Sequence, residues 1–372
     1  MSKKQSNNKL TTETNKTISK EDILNYLSDG IDFLTEELEF MSTGNLILDI
    51  LLGGGWVRGR IHLLKGRESV SKSRLMASVC FIETVFYKNY VLVIDYEGTW
   101  TEDWLQSIFV DLSKVLIIRP DTAESSFDMV IKAIHSGKVS SIILDSIASM
   151  TTIEESEKSH EESTQAVLAR QLSKFCRKAV STLNSVRIKK LRDKSDINVP
   201  TIFLVNQVRT NLHSKFNTEM LPGGQAQKNT ATVILDLFRS SNIEDSEEGS
   251  VGFFINARTD KNKVGVPFRA SQFGLITNEL GYLGHPRYSF YHGYDLFLLG
   301  KNFGIIKQSG AWYEIPNFGK FQGELNVIRS IVEKLEIAEF LLKEIRQAVK
   351  VRTKKDFMFN MDILKKSLGV EK

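Results

Sequence analysis

Cysteine is scarce: Cys80 and Cys176 are the only two in 372 residues. Two thiols so far apart cannot build a disulfide framework. Each falls in a helix-like stretch, so both read as reduced thiols of a cytosolic protein. Long hydrophobic runs are also missing. No apolar stretch approaches the length that spans a bilayer, and Met1-Ser2-Lys3-Lys4-Gln5 lacks a hydrophobic signal core, so neither a membrane protein nor a secreted one is expected. The six histidines are scattered, without metal-ligand spacing to the cysteines, which argues against zinc. Nor is there a large excess of either charge. A net charge of +4 says little by itself about nucleic acid.

What is present fits a soluble globular chain, 41% hydrophobic and 25% charged, long enough for one large α/β domain and smaller appendages. Charge is unevenly placed. Residues 1–20 carry five lysines against one glutamate, residues 343–372 nine Lys/Arg against four acids, and Thr151–Ser163 five glutamates against one lysine. Charge runs are usually solvated faces, so only the basic termini argue for nucleic acid on this ground.

Apolar runs at Ile61–Leu64, Val91–Ile94, Val115–Ile118, Ser141–Leu144 and Thr201–Val205 alternate with helical patterns near 73–87, 102–108, 124–136 and 164–184. That alternation predicts a parallel sheet covered on both faces. Val233–Phe238 and Gly252–Ala257 read as further strands paired antiparallel, and Arg187–Asp196 as a charged insert. After Pro267 the composition shifts to Tyr, Phe and Gly, then to helices over Glu324–Val349. The spacing therefore predicts a flexible basic tail (1–19), a helix and linker (20–41), a core (42–270), a C-terminal α+β domain (271–350) and a basic tail (351–372).

The chemistry centres on Gly66-Arg67-Glu68-Ser69-Val70-Ser71-Lys72-Ser73, between the first strand and a helix. This is the place of a phosphate-binding loop, where backbone N–H groups and the helix dipole cradle phosphates. In that role Lys72 reaches the β- and γ-phosphates and the Ser73 hydroxyl holds Mg²⁺. The pattern asks for glycine where Ser71 stands, so a left-handed serine is expected, strained but allowed. Asp145 ends one strand, placed to hold the Mg²⁺ shell; taken alone it reads equally as a helix-capping acid. Glu97 follows another strand and is a candidate to orient or deprotonate a water. Gln207, after Asn206 at the end of the fifth run, is placed to sense a γ-phosphate. The following loop mixes Arg209, Lys215 and Phe216 with Gly223-Gly224 and Lys228, a composition that suits single-stranded nucleic acid and equally an ordinary surface loop. Lys261-Asn262-Lys263 alone would be a solvated turn.

In order and number these pieces resemble the RecA family of strand-exchange recombinases, from about Ser42 to Val349. The carrying stretches are Ser42–Asp49, Gly66–Ser73, Ile94–Glu97, Leu144–Ser146, Asn206–Arg209, Gly223–Lys228, Lys261–Phe268 and Ser309–Tyr313. The resemblance implies an α/β fold with a RecA-type P-loop ATPase core, a mostly parallel central sheet flanked by helices, an N-terminal oligomerisation helix and a small α+β C-terminal domain. It implies ATP and Mg²⁺ as cofactors, and a helical filament of many copies on single-stranded DNA. That filament would pair with homologous duplex DNA in recombination, repair and the SOS response. By the same resemblance Trp104 stacks on adenine, and loops near 151–164 and 207–228 grip DNA, with Arg170 and Arg177 on the helix after the first. Lys261 and Lys263 reach a neighbour's ATP. Departures are Ser71, Asn229 where the family has phenylalanine, the insert at 187–196, extra residues near Asn278–Ser289, and a basic C-terminus where many members have an acidic tail. The alternative from another class is a nucleotide-binding filament or mediator protein that barely hydrolyses ATP, for which Ser71 speaks.

Overall fold

Runs of β-branched and other aliphatic residues make the centre of the molecule. The computed structural model describes residues 37–157, 165–210, 219–353 and 355–370. Five strands are parallel: β1 (Ile61–Gly66), β2 (Tyr90–Asp95), β3 (Val115–Ile118), β4 (Val139–Asp145) and β5 (Thr201–Gln207). β6 (Val233–Asp245) joins the free side of β1 in parallel, and β7 (Gly249–Asn262) and β8 (Ala270–Ile276) add antiparallel. The eight-stranded order is β8-β7-β6-β1-β5-β4-β2-β3. The antiparallel pair expected at 233–238 and 252–257 is therefore present, and each strand runs well beyond the span its apolar residues mark.

The helices are α1 (Leu46–Leu52), α2 (Lys72–Phe81), α3 (Glu102–Ser107), α4 (Ala123–Ser136), α5 (Ile153–Glu157), α6 (Gln165–Asp193) and α7 (Ala226–Thr230). Further along come α8 (His292–Asn302), α9 (Glu324–Glu333), α10 (Leu335–Thr353) and α11 (Met361–Ser367), beside a three-stranded sheet of Lys307–Ser309, Trp312–Ile315 and Gly319–Gln322. Strand side chains alternate between faces, so both faces of the sheet need cover. Val91, Val93, Ile143, Phe203 and Val205 pack in one layer with Leu75, Met76 and Val79 of α2. Leu92, Ile94, Ile142, Leu144, Ile202 and Leu204 pack in the other with Phe127 and Val130 of α4 and Leu172 and Phe175 of α6. The result is a mixed α/β fold with a mostly parallel central sheet, the RecA-type core the resemblance implies.

Two expectations change. The charged stretch that begins at Arg187 is not a separate insert: α6 continues through it to Asp193, 29 residues in all. Burial decides this, since Val186 and Arg187 lie on the helix's inner side and Arg187 donates to Gly59 O at 2.5 Å. Residues 355–370, read as part of a basic tail, bury Phe357, Phe359, Ile363 and Leu364, and Met358 N donates to Gly54 O at 3.0 Å. The helix expected at 20–38, except for Glu37 and Leu38, lies outside the described residues. So do residues 158–164 of the first loop.

Candidate nucleotide-binding site

The site forms where parallel strands end and helices begin. Gly66 closes β1 under the carbonyl of Leu237: a Cβ there would lie 2.5 Å from that oxygen, so only glycine fits. Two serines in the loop that follows take left-handed backbone, Ser69 at φ 57° and Ser71 at φ 64°. Ser71 precedes α2 with no capping bond from its side chain. The first N–H groups of α2 thus lack a side-chain acceptor, the arrangement that receives an anion.

Lys72 is buried and folds back to donate to Gly66 O at 3.1 Å and Arg67 O at 2.6 Å. Burial holds its pKa below the ordinary lysine value, against the pull of Asp145, Glu97 and Glu68. Asp145, 2% exposed at the end of β4, accepts from Trp100 Nε1 at 3.0 Å. Burial raises its pKa in spite of hydrogen bonds from Ser73 and Trp100. The peptide between Asp145 and Ser146 is cis.

Glu97 stands on a turn built by Asp95. One Asp95 oxygen accepts the N–H groups of Glu97, Gly98 and Thr99 at 3.2, 2.9 and 3.3 Å, and the other accepts Trp100 N at 3.2 Å. The Glu97 carboxylate takes three donors at one oxygen: Ser146 Oγ and Gln207 Nε2, both at 2.7 Å, and Ser149 Oγ at 3.3 Å. Glu68 to Ser73, Glu97, Asp145 and Gln207 line one cleft of about 460 Å³. The predicted loop, strand-end acid, glutamate and glutamine therefore meet. Sequence reading missed Ser146, Ser149, Asp95 and Trp100, which hold those groups in place. Of these, only Asp95, next in line to Glu97 at a strand end, had a visible signal.

Trp104 is half-buried on α3, its ring edge-on to Trp100 at 5.4 Å between centroids, and does not line the cleft. Arg67 gives the site its carbonyl, while its side chain is exposed. Beyond the cleft, Gln207 opens the loop that returns at Gly223-Gly224. A Cβ on Gly223 would lie 2.6 Å from Leu172, and both glycines have positive φ. Asn206 Nδ2 donates to Gln227 Oε1 and to Pro222 O, each at 2.9 Å, which clamps the loop's two ends together. Arg209 is exposed and reaches Ala148 O at 3.4 Å. Arg170 and Arg177 are exposed on α6, beside Glu154 at 3.5 Å and Ser173 Oγ at 2.9 Å. Lys215 and Phe216 lie outside the described residues. Lys261 Nζ donates to the carbonyls of Lys228 and Asn229 at 2.8 and 2.9 Å, at the end of α7. Neither Lys261 nor the exposed Lys263 lines the cleft.

A glycine-started loop, a lysine and serine at a helix start, and acids at two neighbouring strand ends define a phosphate-loop protein of the doubly covered α/β class. Residues 8–281 match the RecA N-terminal domain. The chain is 32% identical to Protein RecA of Haemophilus ducreyi over 312 residues, 83% of this chain and 78% of that one. It is 29% identical to Protein RecA of Porphyromonas gingivalis over 342 residues (91% and 93%), and 28% identical to that of Rippkaea orientalis over 315 (84% of each). The chain belongs to the RecA family. Among the described residues no helix is long and apolar enough to cross a membrane.

Proposed function

We propose that this chain is an ATP-dependent recombinase that assembles as a helical filament on single-stranded DNA, pairs it with homologous duplex DNA and exchanges strands. The observation that carries the reading is the convergence of Lys72, Ser73, Glu97, Asp145 and Gln207 on one cleft. The cleft fits a nucleotide with its metal. Lys72 is a cation held below its ordinary pKa and Asp145 an acid held above it. Phosphate charge beside the first and a divalent cation beside the second would restore both. Ser73 and Asp145 are the residues to hold Mg²⁺, which keeps several waters and needs few protein ligands. When bound, Mg²⁺-ATP supplies the phosphoanhydride whose cleavage drives release of DNA.

Glu97 then positions a water, its carboxylate oriented by Ser146, Ser149 and Gln207. Because Gln207 also opens the 207–228 loop, a change at the γ-phosphate position would pass from Glu97 through Gln207 into that loop. The Asn206–Gln227 clamp keeps its ends fixed. Arg170, Arg177, Arg209, Lys215, Phe216 and Lys228 are assigned to DNA, gripping phosphates and stacking on bases while pairing itself reads sequence. Lys261 and Lys263 belong to the next subunit's site, where they would stabilise γ-phosphate charge. Trp104 is the assigned base-stacking residue.

The test is ATP turnover with and without single-stranded DNA, with Lys72→Ala as control. We expect DNA to stimulate turnover at least about tenfold, and Lys72→Ala to lower it by a factor on the order of 10² or more. ATP-dependent DNA binding without turnover would replace this reading with the mediator one.

A further inference from the structure

The end of the segment 278–289 docks on the helix that follows the phosphate loop, and a small, partly open cavity lies between them, walled also by Ser107, Ile108, Phe109 and Ser367. Arg74, next to Ser73 on α2, donates from Nε to Tyr288 O and from Nη1 to Ser78 Oγ at 2.7 Å, and lies over the Phe290 ring at 4.8 Å. Ser78, Arg287, Ser289, Phe290 and His292 line the same cavity, which has room of about 20 Å³ for a water-sized species. That is enough for one small particle.

Its lining is one-sided. No carboxylate contributes to it, although two arginines do. Arg287 meets the exposed Glu279 at 3.5 Å and lies over the Tyr288 ring at 4.5 Å. Asp295, on the same helix as His292 but outside the cavity lining, is fully buried; Asn45 Nδ2 donates to its Oδ2 at 2.6 Å, and its Oδ1 has no partner among the described residues. Three buried polar groups here have no partner among the described residues: Ser289 Oγ, Arg287 Nε and the ring of His292, with both nitrogens free. His292 is 1% exposed and Ser289 4%. A buried polar group without a partner is costly, so a shared occupant of this cavity would be stabilising. A guanidinium, a hydroxyl and an imidazole N–H can all donate, and the arginines give the lining its positive charge.

We propose that this cavity is a binding site for a small monovalent anion, of chloride size, held by Arg74, Ser289 and His292. The anion supplies the negative charge the lining lacks and ties α2, and with it the phosphate loop, to the 278–289 segment and α8. The site is separate from the nucleotide cleft, shares no lining residue with it and does not depend on the functional reading above.

Two measurements test it on the full chain. Crystals soaked in bromide should show an anomalous peak in the cavity within hydrogen-bond distance of Arg74 and His292. Raising chloride from about 10 to about 500 mM, at ionic strength held constant with glutamate, should raise Tm by about 3 °C. Arg74→Gln should remove most of that rise, and Ser289→Ala part of it. A water without anomalous signal at the site would overturn the proposal. So would an equal chloride response in wild type and both variants.

Discussion

Ser71 shows how a single side chain sets the cost of the phosphate loop. At φ 64°, ψ 32° it occupies left-handed space that costs an L-residue roughly 1–2 kcal/mol. Glycine would avoid that cost but loses more chain entropy on folding, about 0.5–1 kcal/mol. The first magnitude exceeds the second, so Ser71→Gly should stabilise the protein by about 0.5–1 kcal/mol in urea unfolding, with ATP affinity unchanged or improved. A destabilised variant would show that the serine hydroxyl makes a contact worth more than the strain. Asp49 gives a second case at this scale. It is fully buried, its Oδ1 accepts from Thr43 N at 2.7 Å and Thr43 Oγ1 at 2.6 Å, and burial raises its pKa to about 7. Between about pH 4 and pH 7 the folded state keeps a proton that the unfolded state has lost, so this group's contribution to stability falls as pH rises. His62 and His285, which burial lowers to about 4, work in the opposite direction up to about pH 6.5. The effect of Asp49 must therefore be read as a difference. Asp49→Asn should gain stability relative to wild type as pH rises from 4 to 7, and a flat difference would remove the assignment.

Secondary structure was legible wherever one face or two faces of an element were apolar. The five parallel strands and the phosphate-loop helix follow from aliphatic runs and turn residues, and their order alone implied the sheet. The end of α6 was not legible, because Lys189 and Arg192 are exposed there while Val186 and Arg187 are buried; composition carries the charge and not the side it is on. The partners of Glu97 were hidden for another reason. Ser146 just after β4 and Gln207 at the end of β5 are 49 and 110 residues away, and meet it only through the sheet order. The same holds for Asn206 and Gln227, whose bond joins the two ends of the loop assigned to DNA. Gln227 is fully buried and also donates to Pro222 O at 2.6 Å and Gly224 O at 3.1 Å. Gln227→Ala strips three hydrogen bonds from the loop's return and should cost about 2–3 kcal/mol locally. Basal ATP turnover should stay within about threefold, because no cleft residue changes, while ATP-dependent affinity for single-stranded DNA should fall by roughly tenfold or more. Loss of turnover and DNA binding in equal measure would mean the clamp supports the whole core and not the loop alone.

At the scale of the whole molecule, the arrangement of cations bears on the proposal that neighbouring copies share a site. Each subunit's cleft has Lys72 from its own loop, and nothing in it from the far end of β7, where Lys261 and Lys263 sit. Burial and the neighbouring Lys263 charge lower the pKa of Lys261, which caps α7 in place of meeting an acid. A head-to-tail assembly would bring this pair to the cleft of the next copy, as heterologous contacts that do not close into a ring continue into a helix. Two variants separate that arrangement from a purely structural role. Lys72→Ala loses the cleft and keeps the lysine pair; Lys261→Ala with Lys263→Ala keeps the cleft and loses the pair. Each alone should be inactive in DNA-stimulated turnover, and the double variant should still bind ATP. Mixed in equal amounts, about a quarter of random head-to-tail interfaces join an intact cleft to an intact pair, so turnover should return to roughly a quarter of wild type. If mixing two soluble, DNA-binding variants restores nothing, the lysines act within their own subunit or not at all, and the shared-site reading fails.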